Sequence, residues 1–384
     1  MADLFDYLLW RGDLPMELVP PNPVDTLILS ELCYLDFTGL VPQDFVHPVP
    51  LHVVAEAFGA LPDREERDRV KQDSRLLAAC AKSQRFGQLR LIFYRSELLP
   101  EMQSQFAAYV WLLPCGTALV TYRGTDTSLA GWKEDFELAC MEEIPAQKEA
   151  VEYVRAVAKQ YPRRKLRLGG HSKGGNLAVY AAVFCTARIQ NRIDAVWSND
   201  GPGFQTDLTQ LPAYENIRER VYSIVPKSSV VGMLLEHAED YTVVDSDQKG
   251  LMQHDGFSWQ VMGDHFVKLR EMTCKTCLTN LGLRDWICDL SMEQRSAFVE
   301  ALFQVLTASG AKTLTDLKEE SLKSVAAMVK ATKELDKETR EGLLKFMGLL
   351  FKGNLRLTLE GIQEDAEKKT AKLKLWEKKR SGVK

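Results

Sequence analysis

The five residues Gly170-His171-Ser172-Lys173-Gly174 constrain this chain more than any others. A strand-like segment, Lys165-Leu166-Arg167-Leu168, leads into them, and a helical pattern from Asn176 to Cys185 leads out. A strand that passes into a helix through so few residues must turn sharply, and the residue at the apex is forced into a strained backbone conformation. Side chains flanking the apex would collide, so the glycines at 170 and 174 keep the turn possible. Such a turn lifts the Ser172 hydroxyl above the strand ends. It also aims the Lys173 backbone N–H, with the N-terminus of the helix, at any negative charge formed there. The alternative is a glycine-rich turn that cradles a phosphate, with Lys173 as its cation. The spacing G-x-x-x-x-G-K-[ST] that defines such a loop does not occur here.

The flanking sequence supplies the rest of a layered fold. Apolar runs at 107–113 and 117–122, turned by Pro114-Cys115-Gly116, read as a hairpin. Between 143 and 160 an apolar stripe, Ile144, Ala150, Val151, Val154, Val157 and Ala158, has helical spacing. Strand signals follow at 193–197, 220–225 and 241–244. Alternating strands and helices predict an α/β domain, a mostly parallel central sheet flanked by helices. We place it at residues 1–285, with residues 1–21, ending in Pro20-Pro21, as an arm. A helix over 24–41 carries Leu27, Leu29, Leu32 and Tyr34. Residues 286–384 read as an all-helical C-terminal extension. There Ser291-Met292-Glu293-Gln294 forms a capping box, and helical patterns cover 319–335 and 338–352.

Composition excludes several classes of function. Hydrophobic residues at 45% and charged residues at 27% describe a globular chain. Lys+Arg 49 against Asp+Glu 53 leaves no chain-wide basic field for nucleic acid. The start, Met1-Ala2-Asp3-Leu4-Phe5-Asp6, is not basic, and no apolar run reaches the roughly 18 residues of a membrane span. Neither Sec-type secretion nor transmembrane insertion is expected. Eight cysteines scattered over 384 residues fit reduced thiols and a cytoplasmic location. Only Cys274 and Cys277 form C-x-x-C. With Cys288 and His265 nearby but no second pair at ribbon spacing, they read as buried thiols, and no metal or cofactor is expected. The stretch 368–384 carries seven lysines and Arg380 against Glu377. It reads as a solvated end; the alternative is a peripheral membrane contact aided by Leu373, Leu375 and Trp376.

Two motifs together carry a family resemblance. Tyr122-Arg123-Gly124-Thr125-Asp126, followed by Trp132 and Asp135, pairs with Gly170-His171-Ser172-Lys173-Gly174-Gly175-Asn176-Leu177-Ala178. The combination resembles the class 3 (fungal triacylglycerol lipase) branch of the α/β-hydrolases, and most closely the uncharacterised bacterial Mbeg-like hydrolases. The resemblance spans about residues 105–265, with specific motifs only at its two glycine-containing turns. It implies an α/β-hydrolase fold with Ser172 as nucleophile and an oxyanion hole built from Thr125 and the Lys173 backbone. It also implies a lid over about 127–142. Arg123 reads as an ion-pair partner of Asp126 or Asp135.

A serine hydroxyl needs a base, and the order in this superfamily is serine, acid, histidine. His47 and His52 precede the serine, and His171 lies inside the turn, unable to reach round to Ser172. Among His237, His254 and His265, the choice is His254, in the polar loop Gln253-His254-Asp255-Gly256 where the family places its base. His237 reads as a cap of the helix 230–235, and His265 as structural. The acid departs from the pattern. After the strand at 220–225 the lipases carry a carboxylate, whereas this chain has Pro226-Lys227-Ser228-Ser229. Asp200, ending the preceding strand in Ser198-Asn199-Asp200-Gly201-Pro202-Gly203, is the candidate, although that sequence is equally turn chemistry. Asp245 and Asp247 are weaker choices, and a dyad assisted by Ser229 or a backbone carbonyl is another.

The expectation is a cytoplasmic serine hydrolase cleaving an acyl ester, on a small-molecule or lipid substrate. The alternatives are a thioesterase or peptidase on the same fold, or a non-catalytic scaffold binding a partner or membrane surface through its C-terminal helices.

Overall fold

The computed structural model describes residues 2–99, 104–125, 143–229, 231–233, 240–272 and 291–308, with the single positions 133, 138, 310, 331, 339, 340 and 343. The chain divides into two compact units, Met1–Asp126 with Glu134–Asp289, and Thr127–Lys133 with Leu290–Lys384.

The first unit is built on an eight-stranded sheet whose spatial order follows the sequence. Its strands are β1 (Val49–Pro50), β2 (Arg90–Leu99), β3 (Ser104–Leu112), β4 (Thr117–Tyr122), β5 (Lys165–His171), β6 (Ile193–Asn199), β7 (Val221–Pro226) and β8 (Tyr241–Val244). The first four pair antiparallel and β4 through β8 pair parallel. Parallel strands need crossovers, and those crossovers cover the sheet. Every residue of β4 is buried, as expected of a strand covered on both faces.

Alternate residues of each strand feed two separate cores. On one face Val110, Val120, Leu168 and Val196 pack with α5 (Pro145–Gln160) and α6 (Lys173–Phe184), through Val154, Val157, Leu177 and Ala181. On the other, Tyr109, Trp111, Leu119 and Trp197 pack with α1 (Leu4–Arg11), α2 (Pro23–Glu31), α3 (Leu51–Gly59) and α4 (Lys71–Lys82). The predicted hairpin, the helix after it and all three later strands are observed.

Two expectations are corrected. Residues 1–21 are not an open arm. Asp3 and Asp6 close a capping box around α1, which buries Leu4, Tyr7 and Leu8. The chain after α1 is held by the buried Arg85, which bonds Asp25 at 2.5 Å and the carbonyls of Leu14, Val19 and Pro20. The helix expected over 24–41 is shorter: α2 ends at Glu31 and continues only as a 3-10 turn, Leu32–Tyr34.

In the second unit, α7 (Met292–Thr307) begins as expected, with the Ser291 hydroxyl accepting from the Gln294 amide. Lys133 Nζ lies 2.5 Å from Glu300. Apart from the single positions given above, the expected lid at 127–142 and the helical patterns at 319–335 and 338–352 fall outside the described residues. So do Cys274, Cys277, Cys288, His237 and the basic stretch. Among the described residues, no helix is long and apolar enough to cross a membrane.

Candidate active site

β5 hands over to α6 through a single residue, Ser172, whose φ of +58° and ψ of −133° lie outside the common regions for an L-residue. Holding it there costs about 1–3 kcal/mol. Two backbone bonds supply the restraint: the Ser172 amide donates to Asn199 at 2.9 Å, and its carbonyl accepts from Gly175 at 2.8 Å. The flanking glycines are obligatory. A Cβ on Gly170 would lie 2.2 Å from the Gly174 carbonyl carbon, and one on Gly174 would lie 2.1 Å from the Tyr122 carbonyl oxygen.

The turn after β4 passes directly against this elbow. A Cβ on Gly124 would come within 2.5 Å of the His171 carbonyl oxygen and 3.1 Å of the Ser172 Cβ. Thr125, the next residue, is buried beside it. The Lys173 side chain is buried too, and its ammonium donates to the Gln105 carbonyl at 3.1 Å. Asp126 and Asp135, the expected partners of Arg123, fall outside the described residues.

No carboxylate follows β7, and the candidate Asp200 lies one strand earlier. Asp200 follows β6 with φ +51°, fully buried, and its amide donates to the Ile224 carbonyl of β7 at 2.8 Å. Asp200 Oδ2 is 2.7 Å from His254 Nδ1. Asp200 Oδ1 accepts from the Ser229 hydroxyl at 2.5 Å, and that hydroxyl accepts in turn from the Gly232 amide at 2.9 Å. Asp200 and Ser229 meet because β6 and β7 run parallel in adjacent register, with Asn199 beside Ile224. Asp245 instead bonds Lys227 Nζ, and Asp247 is exposed. His265 pairs with Asp264 at the surface.

His254 ends a 3-10 turn, Gly250–His254. Trp259 Nε1 donates to the Gln253 carbonyl at 2.9 Å, and Gln253 Oε1 accepts from the Ser228 amide at 2.9 Å. The His254 carbonyl lies 2.7 Å from Nε2 of His171. Asp200 and His254 are thus bonded to each other, and Ser172 is joined by its backbone amide to Asn199, the residue before Asp200.

The His171 ring turns away from Ser172, as its place inside the turn predicts, toward Tyr34 and the His254 carbonyl. Burial first, then the neighbouring His254 and Arg69, hold it well below its ordinary value of 6.5, so it is neutral. A carbonyl only accepts, so Nε2 carries the proton and Nδ1 accepts from the Tyr34 hydroxyl at 2.8 Å. Behind Tyr34, the Arg69 guanidinium stacks 3.5 Å from the ring centroid and bonds Glu31 at 2.7 Å and Asp73 at 3.0 Å. Burial pushes the Asp73 carboxyl up against the opposing pull of Arg69. No local spacing could have announced these contacts, since Tyr34 and His171 are 137 residues apart.

A mostly parallel sheet, helices on both faces and a strained serine between the central strand and its following helix together define the α/β-hydrolase fold. Residues 80–304, more than half of the chain, match the family model described as Mbeg1-like, and the chain belongs to that family. No curated protein sequence is significantly similar to it. Similar solved structures include a Rhizomucor miehei lipase propeptide complex, at 20% identity over 41% of this chain and 57% of that one, TM-score 0.29. M37 lipase is 14% identical over 54% and 67%, TM-score 0.37. Lip2 lipase from Yarrowia lipolytica is 15% identical over 41% and 66%, TM-score 0.30. This chain thus spans between about half and two thirds of the length of these lipases.

Proposed function

We propose that the protein is a serine hydrolase that cleaves an acyl ester, with a lipid or small-molecule ester as substrate. The observation that carries this reading is the 2.7 Å bond between the buried Asp200 and the part-buried His254, on a sheet whose strand β5 ends in a strained elbow serine. In this account Ser172 attacks the ester carbonyl while His254 Nε2 takes its proton. Asp200, bonded at Nδ1, fixes the tautomer in which Nε2 is the accepting nitrogen and stabilises the imidazolium that forms. The negative charge gathering on the carbonyl oxygen meets the Lys173 backbone N–H at the start of α6, with Thr125 across from it. Each such donor contributes about 3 kcal/mol to the transition state. His254 then returns the proton to the departing alcohol, and water repeats the sequence to release the acid. No step calls for a cofactor.

The test is turnover of matched chromogenic ester, thioester and amide substrates by wild type and Ser172→Ala. The proposal expects the ester to turn over fastest and Ser172→Ala to abolish that turnover. A preference for thioester or amide reassigns the reaction, and ester turnover that survives in Ser172→Ala contradicts the mechanism.

A further inference from the structure

The acyl transfer described above gives His171 no part, yet the fold surrounds this side chain with specific partners. It is 2% exposed. Its ring bridges the Tyr34 hydroxyl and the main-chain carbonyl of His254, at 2.8 and 2.7 Å. The two imidazoles lie beside each other, centroids 4.6 Å apart and inclined by 34°, and Trp259 closes another edge. The charged and titratable groups around it are His254, Asp200, Arg69, Tyr34 and Glu31, whose Oε1 lies 3.6 Å from its Nδ1. Asp255, next to His254, is also raised by burial and by Glu31.

We infer that His171 is a positioning residue for the base: its Nε2–H, which the His254 carbonyl accepts while Tyr34 holds the other ring nitrogen, fixes the His254 main chain and so the reach of the His254 ring. The inference rests on the serine-hydrolase reading. Asp200 restrains the His254 ring at Nδ1, and the bonds from Trp259 and Ser228 restrain the neighbouring Gln253. The bond from His171 adds a tether at the carbonyl of His254 itself. Proton transfer from a serine needs the acceptor within about 3 Å, so a loop displacement of 1 Å is expensive.

The tether is itself braced. Asp73, in the first turn of α4, and Glu31, at the end of α2, hold Arg69, and Arg69 lies on the face of Tyr34. Glu31 also touches the base loop directly, for a Cβ on Gly256 would come within 2.5 Å of its Oε1. Side chains from two helices on the far core thus converge on the loop that carries His254. Neutrality matters here. When His254 becomes an imidazolium, a neutral neighbour leaves that charge to Asp200, whereas a second cation would oppose it.

The experiment uses the full chain as wild type, His171→Ala, His171→Gln and Tyr34→Phe. It reads the rate of fluorophosphonate labelling, the hydrogen exchange of amides in 250–258, and the histidine ring nitrogens by NMR. His171→Ala is expected to label about 10- to 100-fold more slowly, with faster exchange in the loop. His171→Gln, whose amide can donate to the same carbonyl, should recover to within about tenfold of wild type. Tyr34→Phe should keep the Nε2–H tautomer, which the His254 carbonyl selects, but loosen the ring, with faster exchange in 250–258 and labelling at an intermediate rate. Labelling of His171→Ala within twofold of wild type, or His171→Gln as slow as His171→Ala, would overturn the inference. If His171→Ala does not fold, Tyr34→Phe decides, and an unchanged rate with unchanged exchange in 250–258 rejects the tether. If wild type itself does not label, the hydrolase reading fails, and the tether is judged by exchange alone. Faster loop exchange in His171→Ala that is restored in His171→Gln supports it, and no change rejects it.

Discussion

Replacing Asp200 by Asn tests the relocated carboxylate, and the structure sets the size of the effect. The Ser229 hydroxyl donates to Oδ1, so an Asn at 200 keeps its carbonyl oxygen there and turns its amide nitrogen toward His254 Nδ1. Two donors cannot face each other, so the imidazole shifts its proton to Nε2 and can no longer take one from Ser172. The imidazolium also loses its counter-charge. At an effective dielectric near 20 and a charge separation of about 4 Å, that loss is about 4 kcal/mol, or about a thousandfold in rate. Wrong-tautomer effects at such triads reach about 10⁴. The prediction is therefore a fall of about 10³- to 10⁴-fold in ester turnover, measured at saturating substrate beside a thermal unfolding curve showing that the variant is folded. A folded Asp200→Asn enzyme within threefold of wild type would refute the reasoning, and the acid would have to be sought elsewhere.

Other predictions concern the frame. Gly174→Ala forces a Cβ to 2.1 Å from the Tyr122 carbonyl, a backbone contact with nowhere to move. It should lose about 3 kcal/mol or more of stability in urea titration. Asp25→Ala strands the buried Arg85 guanidinium and should lower stability by about 3–5 kcal/mol on the same assay; a loss under 1 kcal/mol would mean that the three carbonyls alone satisfy Arg85. His171 gives a pH signature. Its folded value lies well below 6.5, so below pH 6.5 the unfolded chain binds a proton that the native state refuses. Its contribution is complete above pH 6.5 and is lost as pH falls, at up to about 1.4 kcal/mol per pH unit. His171→Gln should flatten the acid side of the urea stability curve by that slope, and parallel curves for the two proteins would contradict the assignment.

How much of this was legible in the sequence depended on whether the signal was local. The elbow declared itself because strand, apex serine and helix are contiguous, and the hairpin and α5 because their periodicity is intact. The segment 1–21 misled because Pro20-Pro21 outweighed the Asp3/Asp6 capping pair at its start. Asp200 stayed undecided because Asn-Asp-Gly-Pro describes a turn equally well. Only the adjacency of β6 and β7 shows its carboxylate facing the loop of His254, while Ser229 occupies the place where a carboxylate was sought. Tyr34, Glu31, Arg69 and Asp73 were not legible as a group: Arg69 and Asp73 are four residues apart, but Arg69 meets Tyr34 and Glu31, and Tyr34 meets His171, through the tertiary fold.

The account stands or falls on whether Ser172 is an activated nucleophile. Incubating the purified chain with a fluorophosphonate and mapping the adduct by peptide mass spectrometry answers this directly. The account predicts a single adduct on Ser172, absent in Ser172→Ala and formed at least about a hundredfold more slowly in His254→Ala. A folded wild-type protein that takes no label, or takes it at another residue, would contradict it.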